Sequence, residues 1–322
     1  MIGTENDDTR VRGLADVERF ARRCFEGTPG DATGVELEFL VFDRGDPSRN
    51  VRIAEIRAAL PILPHGSALS FEPGGQVEFS GPPGPLPQAL SGLAEDVEAA
   101  RAALRQSGLV LAGTGLDPVR PPLRQLRSPR YEAMADLLGV PYGPMMMCQT
   151  ASVQVNVDLG GRPRVRWERA HDFGPVLNAA FANSPLHRSR PCGWASGRQA
   201  VWLHLDHTRT RPVVWDGDPA EAWARYLMDA RLMLARPKGA RRRPATGGPT
   251  FADWIGMPRM GGHPPTTADL AYHATTVFPP VRPRRWLEIR YLDAQHPRWW
   301  PVCAAVTCAL VLDDRAAGEA LG

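Results

Sequence analysis

Four stretches of the chain alternate apolar and polar positions, the period of a β-strand with one buried face. In GVELEFLVFD, Val35, Leu37, Phe39 and Val41 share one face while Glu36 and Glu38 share the other. ASVQVNVDLG sets Ala151, Val153, Val155, Val157 and Leu159 against Ser152, Gln154, Asn156 and Asp158. The same reading of RQAVWLHLDHTR puts Arg198, Trp202, His204 and Asp206 together, and WLEIRYLD puts Glu288 and Arg290 opposite Leu287, Ile289 and Tyr291. Helical spacing appears between Ser91 and Gly108, where Leu93, Val97, Ala100 and Leu104 form a stripe, and from Pro219 to Arg236, with Trp223, Leu227, Ala230 and Leu234. Trp299 to Leu312 is apolar but too short and interrupted to span a bilayer, so it reads as a core helix.

Strands with one apolar face and one face of carboxylates, amides and arginines predict an α+β fold. Its curved antiparallel sheet is covered by helices on the outside and filled by ligands on the inside. Helices and strands do not alternate regularly, which argues against a doubly wound parallel sheet. Proline-rich runs at PPGPLP (82–87), PVRPP (118–122), RPKGARRRP (236–244) and FPPVRP (278–283) read as loops between apolar segments. No linker divides the chain, so residues 1–322 are expected to form a single domain.

Charge narrows the function. With 38 basic and 35 acidic residues the formal charge is only +3, which gives no argument for a nucleic acid or membrane partner and leaves small molecules as the expected ones. The five cysteines make no CxxC pair and the polar start MIGTENDDTR is unlike a secretory signal; both suit the cytoplasm. There is no GxxxxGK[ST], GxGxxG or HExxH. His204 and His207 fall on opposite strand faces, so zinc chemistry is not expected. Cys148 reads as a buried thiol, and Arg241, Arg242 and Arg243 as a solvated loop.

The segment FEPGGQVEFSGPP adds Glu72 and Glu78 on either side of Gly74 and Gly75, which let the backbone turn tightly enough for distant carboxylates to converge. An isolated Glu-x-Glu pair reads first as a solvated sheet face. Five acids in strand-like contexts, Glu36, Glu38, Glu72, Glu78 and Glu288, instead suggest a cation site, because carboxylates crowded together need a neutralising ion. All-oxygen ligands favour magnesium or manganese. Arg198 and Arg290 are the natural partners of an anion, or else of these local acids.

EPGGQVEFSGPP, TASVQVNVDLG, SGRQAVWLHLDHTRT and WLEIRYLDAQHPRWWP, in that order, closely resemble the plant-type glutamate-cysteine ligase family. RSPRYEAMA, GPMMMCQTA and YHATTVFPPVRPR bring the chain nearest to the bacterial ligases that open ergothioneine synthesis. The resemblance implies a glutamine-synthetase-like fold whose bowl-shaped sheet binds ATP, magnesium and L-glutamate. It further implies ATP-dependent ligation of the glutamate γ-carboxyl to the L-cysteine amine through a γ-glutamyl phosphate. By this resemblance Glu36, Glu38, Glu72, Glu78 and Glu288 hold magnesium and the nucleotide phosphates, Gln154 and Asn156 line the same floor, and Arg198 and Arg290 clamp glutamate or the transferring phosphoryl group. The family continues for several helices beyond the last motif, whereas here DDRAAGEALG follows Leu312. That shortening motivates one alternative reading, a shortened non-catalytic paralogue; a ligase using another amine is the second, because the acyl-phosphate machinery is more visible in the sequence than a cysteine pocket.

Overall fold

The computed structural model describes residues 8–27, 30–234, 248–257 and 262–321. Nine short strands are present among them: β1 Thr33–Asp43, β2 Ala68–Phe71, β3 Val77–Ser80, β4 Leu109–Ala112, β5 Ser152–Asp158, β6 Leu186–His187, β7 Arg190–Pro191, β8 Val281–Pro283 and β9 Trp286–Asp293. Seven of them form one open antiparallel sheet in the order β2-β3-β1-β5-β9-β8, with β4 paired to the last four residues of β1. The α+β, antiparallel expectation holds.

The apolar face behaves as its alternation requires. Leu37, Val155, Leu287 and Ile289 are fully buried. They lie beneath helices Leu86–Gln106 against β1 and β3, Trp300–Leu312 against β5, and Gly174–Ala180 against β9. Helix Leu86–Gln106 buries Leu93, Val97, Ala100 and Leu104. It starts earlier than Ser91 because Pro87 fits a helix's first turn, where its missing N–H costs nothing. Helix Pro219–Asp229 packs on Leu14–Cys24 through Trp223 and Leu227.

Three expectations fail: the FPPVRP run, read as loop, holds strand β8 at Val281–Pro283, and two helical stretches differ from their reading. The Pro219 helix stops at Asp229 because backbone groups just beyond it are taken elsewhere: the Ala230 carbonyl accepts from Phe251 N at 3.2 Å and Leu232 N donates to Pro249 O at 2.8 Å. Leu234 is thus not helical, and Arg236 with Arg241, Arg242 and Arg243 falls outside the described residues. The stretch from Arg198 to Arg209 is not a strand but two short helices, Gly197–Leu203 and His207–Thr210. Ser196 caps the first by accepting from Gln199 N at 3.1 Å, and Asp206 caps the second by accepting from Thr208 N at 3.0 Å. Ala200 and Val201 are buried side by side, which a helix permits and alternation does not.

Candidate active site

Strand register gathers the acids. Glu38 lies directly opposite Glu78 across the β1–β3 pair, and Glu36 lies opposite Gln154 across β1–β5. Glu288 sits between Asn156 of β5 and Arg282 of β8. Glu72 reaches the same face from the β2–β3 turn, which is closed by Glu72 N donating to Gln76 O at 2.9 Å. That turn is tightly held. Gly75 adopts φ +93°, a Cβ on Gly74 would stand 2.3 Å from the Cys148 carbonyl, and the buried Gln76 amide donates to Thr150 O at 2.9 Å.

Carboxylate oxygens of Glu38, Glu72 and Glu78 come within 4.8 Å of one another. Burial, and then the neighbouring carboxylates, raise all three above the usual range; Glu78 is pushed up to about 7 by burial and by Glu38. Ser70 Oγ donates to Glu78 at 2.7 Å and Gln154 Nε2 to Glu38 at 3.2 Å, which leaves this half-buried cluster short of positive charge. The site fits a hard divalent cation on those grounds: oxygen donors, converging, and electrostatically unsatisfied.

Glu36 is adjacent but accepts from Asn156 Nδ2 at 2.9 Å, and its pKa is raised by burial and by Glu288. Glu288 differs in character. Burial would raise its pKa, but Arg282, bonded to it at 2.5 and 3.0 Å, and Arg290 at 3.2 Å outweigh that and hold it at about 2. The structure therefore unites Glu38, Glu72 and Glu78 while placing Glu288 among guanidiniums, where it is already neutralised.

The cleft over this face has a volume of ≈ 260 Å³, and it is lined by five glutamates and by five arginines, Arg130, Arg198, Arg282, Arg284 and Arg290. Charge is segregated along the sheet, with the acid cluster toward β1 and β3 and most guanidiniums toward β8 and β9. Arg290 donates to Gln154 Oε1 at 2.6 Å, so the amide links the two halves. Met134, Met146, Met147, Trp202 and Phe278 supply an apolar wall.

Arg198 is the cleft's most informative cation. It is 3 % exposed and gives Nη2 to the Arg290 carbonyl at 2.8 Å, while its Nε and Nη1 have no hydrogen-bond partner. Buried guanidinium N–H groups without acceptors point to an anionic ligand. Although its segment is helical, Arg198 still lines the cleft with Trp202, because residues four apart share a face of a helix as they do of a strand.

The sequence reading missed Asp293, Arg282, Arg284 and Arg130. Buried Asp293 accepts from Asn183 N at 2.8 Å, Ser184 Oγ at 2.7 Å and Ser196 Oγ at 2.8 Å, and lies 4.0 Å from Arg198. Ser184 Oγ in turn accepts from Arg198 N at 3.1 Å. Asp293 thereby fixes both the cap and the first turn of the helix carrying Arg198. Its signal was present: Asp293 falls on the apolar parity of β9, with Leu287, Ile289 and Tyr291. Arg282 and Arg284 were hidden in or beside FPPVRP, whose prolines read as loop. Arg130 binds Thr275 by its hydroxyl at 3.0 Å and its carbonyl at 2.8 Å.

A model of glutamate-cysteine ligase family 2 matches residues 32–321. The glutamate–cysteine ligase EgtA of Mycolicibacterium smegmatis is 47% identical over 309 residues, covering 90% of this chain and 71% of the relative. The chloroplastic glutamate–cysteine ligase of Medicago truncatula is 30% identical over 249 residues, covering 74% of this chain and 48% of the relative. Among solved structures, a glutamate–cysteine ligase from Francisella tularensis in complex with AMP aligns with a TM-score of 0.44 at 12% identity, covering 88% of this chain and 67% of that one.

Proposed function

Because the chain belongs to glutamate-cysteine ligase family 2, we propose that it uses ATP and magnesium to join the γ-carboxyl of L-glutamate to the amine of L-cysteine. The observation that carries the site assignment is the convergence of Glu38, Glu72 and Glu78 in one cleft with the unsatisfied N–H groups of Arg198.

The division of charge suits the reaction. Two anions, the γ-carboxylate and the terminal phosphate of ATP, must be brought together before the carboxylate oxygen can attack phosphorus, and the cleft supplies guanidiniums for that purpose. Arg198, positioned by Ser184 and Asp293, offers Nε and Nη1, neither of them hydrogen-bonded, to a carboxylate or phosphoryl oxygen. Arg284, 41% exposed and 3.7 Å from Glu288, is the less committed cation beside it. Gln154 accepts an N–H from Arg290, which also sits 3.2 Å from Glu288. Glu38, Glu72 and Glu78 would hold magnesium, with Glu36 beside them in the cleft and Asn156 bonded to Glu36. When bound, the metal neutralises phosphate charge and Lewis-acidically activates the transferring group.

Attack of the cysteine amine on the resulting acyl phosphate forms the amide and expels phosphate, so no protein nucleophile is consumed. The apolar wall of Met134, Met146, Met147, Trp202 and Phe278 shields the acyl phosphate from water. We take the chain as one ligase domain working in the cytoplasm, where its five free cysteines stay reduced. Similarity to EgtA favours ergothioneine over glutathione as the destination of the product.

The test is product identification by mass after incubation with magnesium, ATP, glutamate and an equimolar mixture of cysteine and other amino acids. γ-Glutamylcysteine as the dominant product, matched by ADP, is expected. A different γ-glutamyl amide would transfer the machinery to another amine, and no ADP with any amine would remove the ligase reading.

A further inference from the structure

A second cavity, of ≈ 510 Å³, lies beside strand β4 and shares no lining residue with the cleft just described. Its charged walls are Arg44, Arg101 and Arg105, with His296 beside them, and its floor runs from Val110 in β4 to Thr114 just beyond it. We infer that this cavity is a second binding site, for a small polyanion bearing phosphate or clustered carboxylate groups.

Three chain segments converge to make it. Arg101 and Arg105 stand one turn apart at the end of helix Leu86–Gln106, a spacing at which like charges repel. Arg44 follows β1 and is fixed beside that helix end by its own N–H donating to Gly108 O at 2.9 Å. His296 arrives on the loop after β9, which is pressed against the end of β4 so closely that a Cβ on Gly113 would stand 1.8 Å from the Gln295 carbonyl. The rim therefore belongs to packed backbone rather than to a free loop.

The charge is not balanced locally. Neither Arg44 nor Arg105 is ion-paired to another described residue, and Asp43, the acid next to Arg44, is held by Arg49 at 2.6 Å. Arg101 has one partner, Glu98 at 2.9 Å, which is itself 59% exposed. Burial, and then Arg101 and Arg298, hold His296 below its ordinary range. In a chain with 38 basic and 35 acidic residues, such an unneutralised cluster is concentrated rather than general. Three guanidiniums carried on two chain segments match the several oxygen acceptors of a phosphate chain or a tricarboxylate. A monovalent anion would leave most of the donors unused.

The test is isothermal calorimetry on the full chain, metal-free and at low salt, with pyrophosphate in one arm and tricarballylate in the other. Single-site binding of at least one of them is expected, weakened about tenfold or more in Arg44→Ala/Arg105→Ala and also weakened by added salt. The arm that binds more tightly identifies phosphate or carboxylate as the preferred chemistry. Arg284→Ala controls for binding in the catalytic cleft, and thermal melts confirm that each variant is folded. Absence of binding in both arms overturns the inference. So does binding that survives the double substitution, or that is lost only in Arg284→Ala.

Discussion

Glu78→Gln should make the metal-free protein more stable while making it inactive. In the fold Glu78 faces Glu38 across a strand pair, and its pKa rises from 4.5 to about 7. The sign follows from proton binding. Between these two values the folded state holds more protons than the unfolded chain, so stability falls as pH rises and the full penalty is reached above about 7. At about 1.4 kcal/mol per pH unit this rise corresponds to a ceiling of about 3 kcal/mol, and solvent at the cleft mouth together with the coupling of the three acids reduces it to about 1–2 kcal/mol. Gln keeps the shape and can still accept from Ser70, but carries no charge. With EDTA at pH 8.5, Glu78→Gln should therefore unfold at higher denaturant than the parent, by about 1–2 kcal/mol, and the two should converge near pH 4.5. Magnesium should stabilise the parent more than the variant. A metal-free variant less stable than the parent at pH 8.5, or a gain independent of pH, would refute the idea that a buried charge, crowded by Glu38, awaits a cation here.

Other consequences can be checked separately. Asp293→Asn removes the charge 4.0 Å from Arg198 while leaving groups able to meet Ser184 and Ser196. It should raise the glutamate KM or lower kcat about tenfold or more with little change in the melting curve, and an unchanged kcat/KM would show that Asp293 does not position Arg198. Gly74→Ala drives a Cβ to 2.3 Å from the Cys148 carbonyl, so the turn between Glu72 and Glu78 must shift. Loss of about 2 kcal/mol or more of stability, with weakened magnesium response in titration, is expected. Trp223→Ala, in the fully buried contact between helices Leu14–Cys24 and Pro219–Asp229, should cost about 3–5 kcal/mol in chemical denaturation.

Three strands of the sheet, β1, β5 and β9, were legible because they alternate, and parity set Glu36 with Glu38, Gln154 with Asn156, and Glu288 with Arg290 on the polar face of each. The turn holding Glu72 was legible through its two glycines. What alternation cannot do is distinguish a strand from a helix when the diagnostic residues are four apart, as Arg198 and Trp202 are. The cap at Ser196 decided that segment, and it depends on a hydrogen bond to Asp293, almost a hundred residues later. Glu288 shows a second limit. Its face was readable, but its neutralisation by Arg282 depends on pairing with the three-residue strand β8, inside a run that its prolines disguise. Which acids stay unneutralised is a property of register between strands, and no single stretch of sequence contains it.

The most direct test of the proposed reaction follows oxygen. With glutamate labelled by ¹⁸O in its γ-carboxylate, magnesium, ATP and cysteine, one labelled oxygen should appear in the released phosphate for each γ-glutamylcysteine formed, because the carboxylate oxygen that attacks phosphorus leaves with it. Unlabelled phosphate alongside the same amide would contradict a γ-glutamyl phosphate, and with it the roles given to Arg198 and the carboxylate cluster.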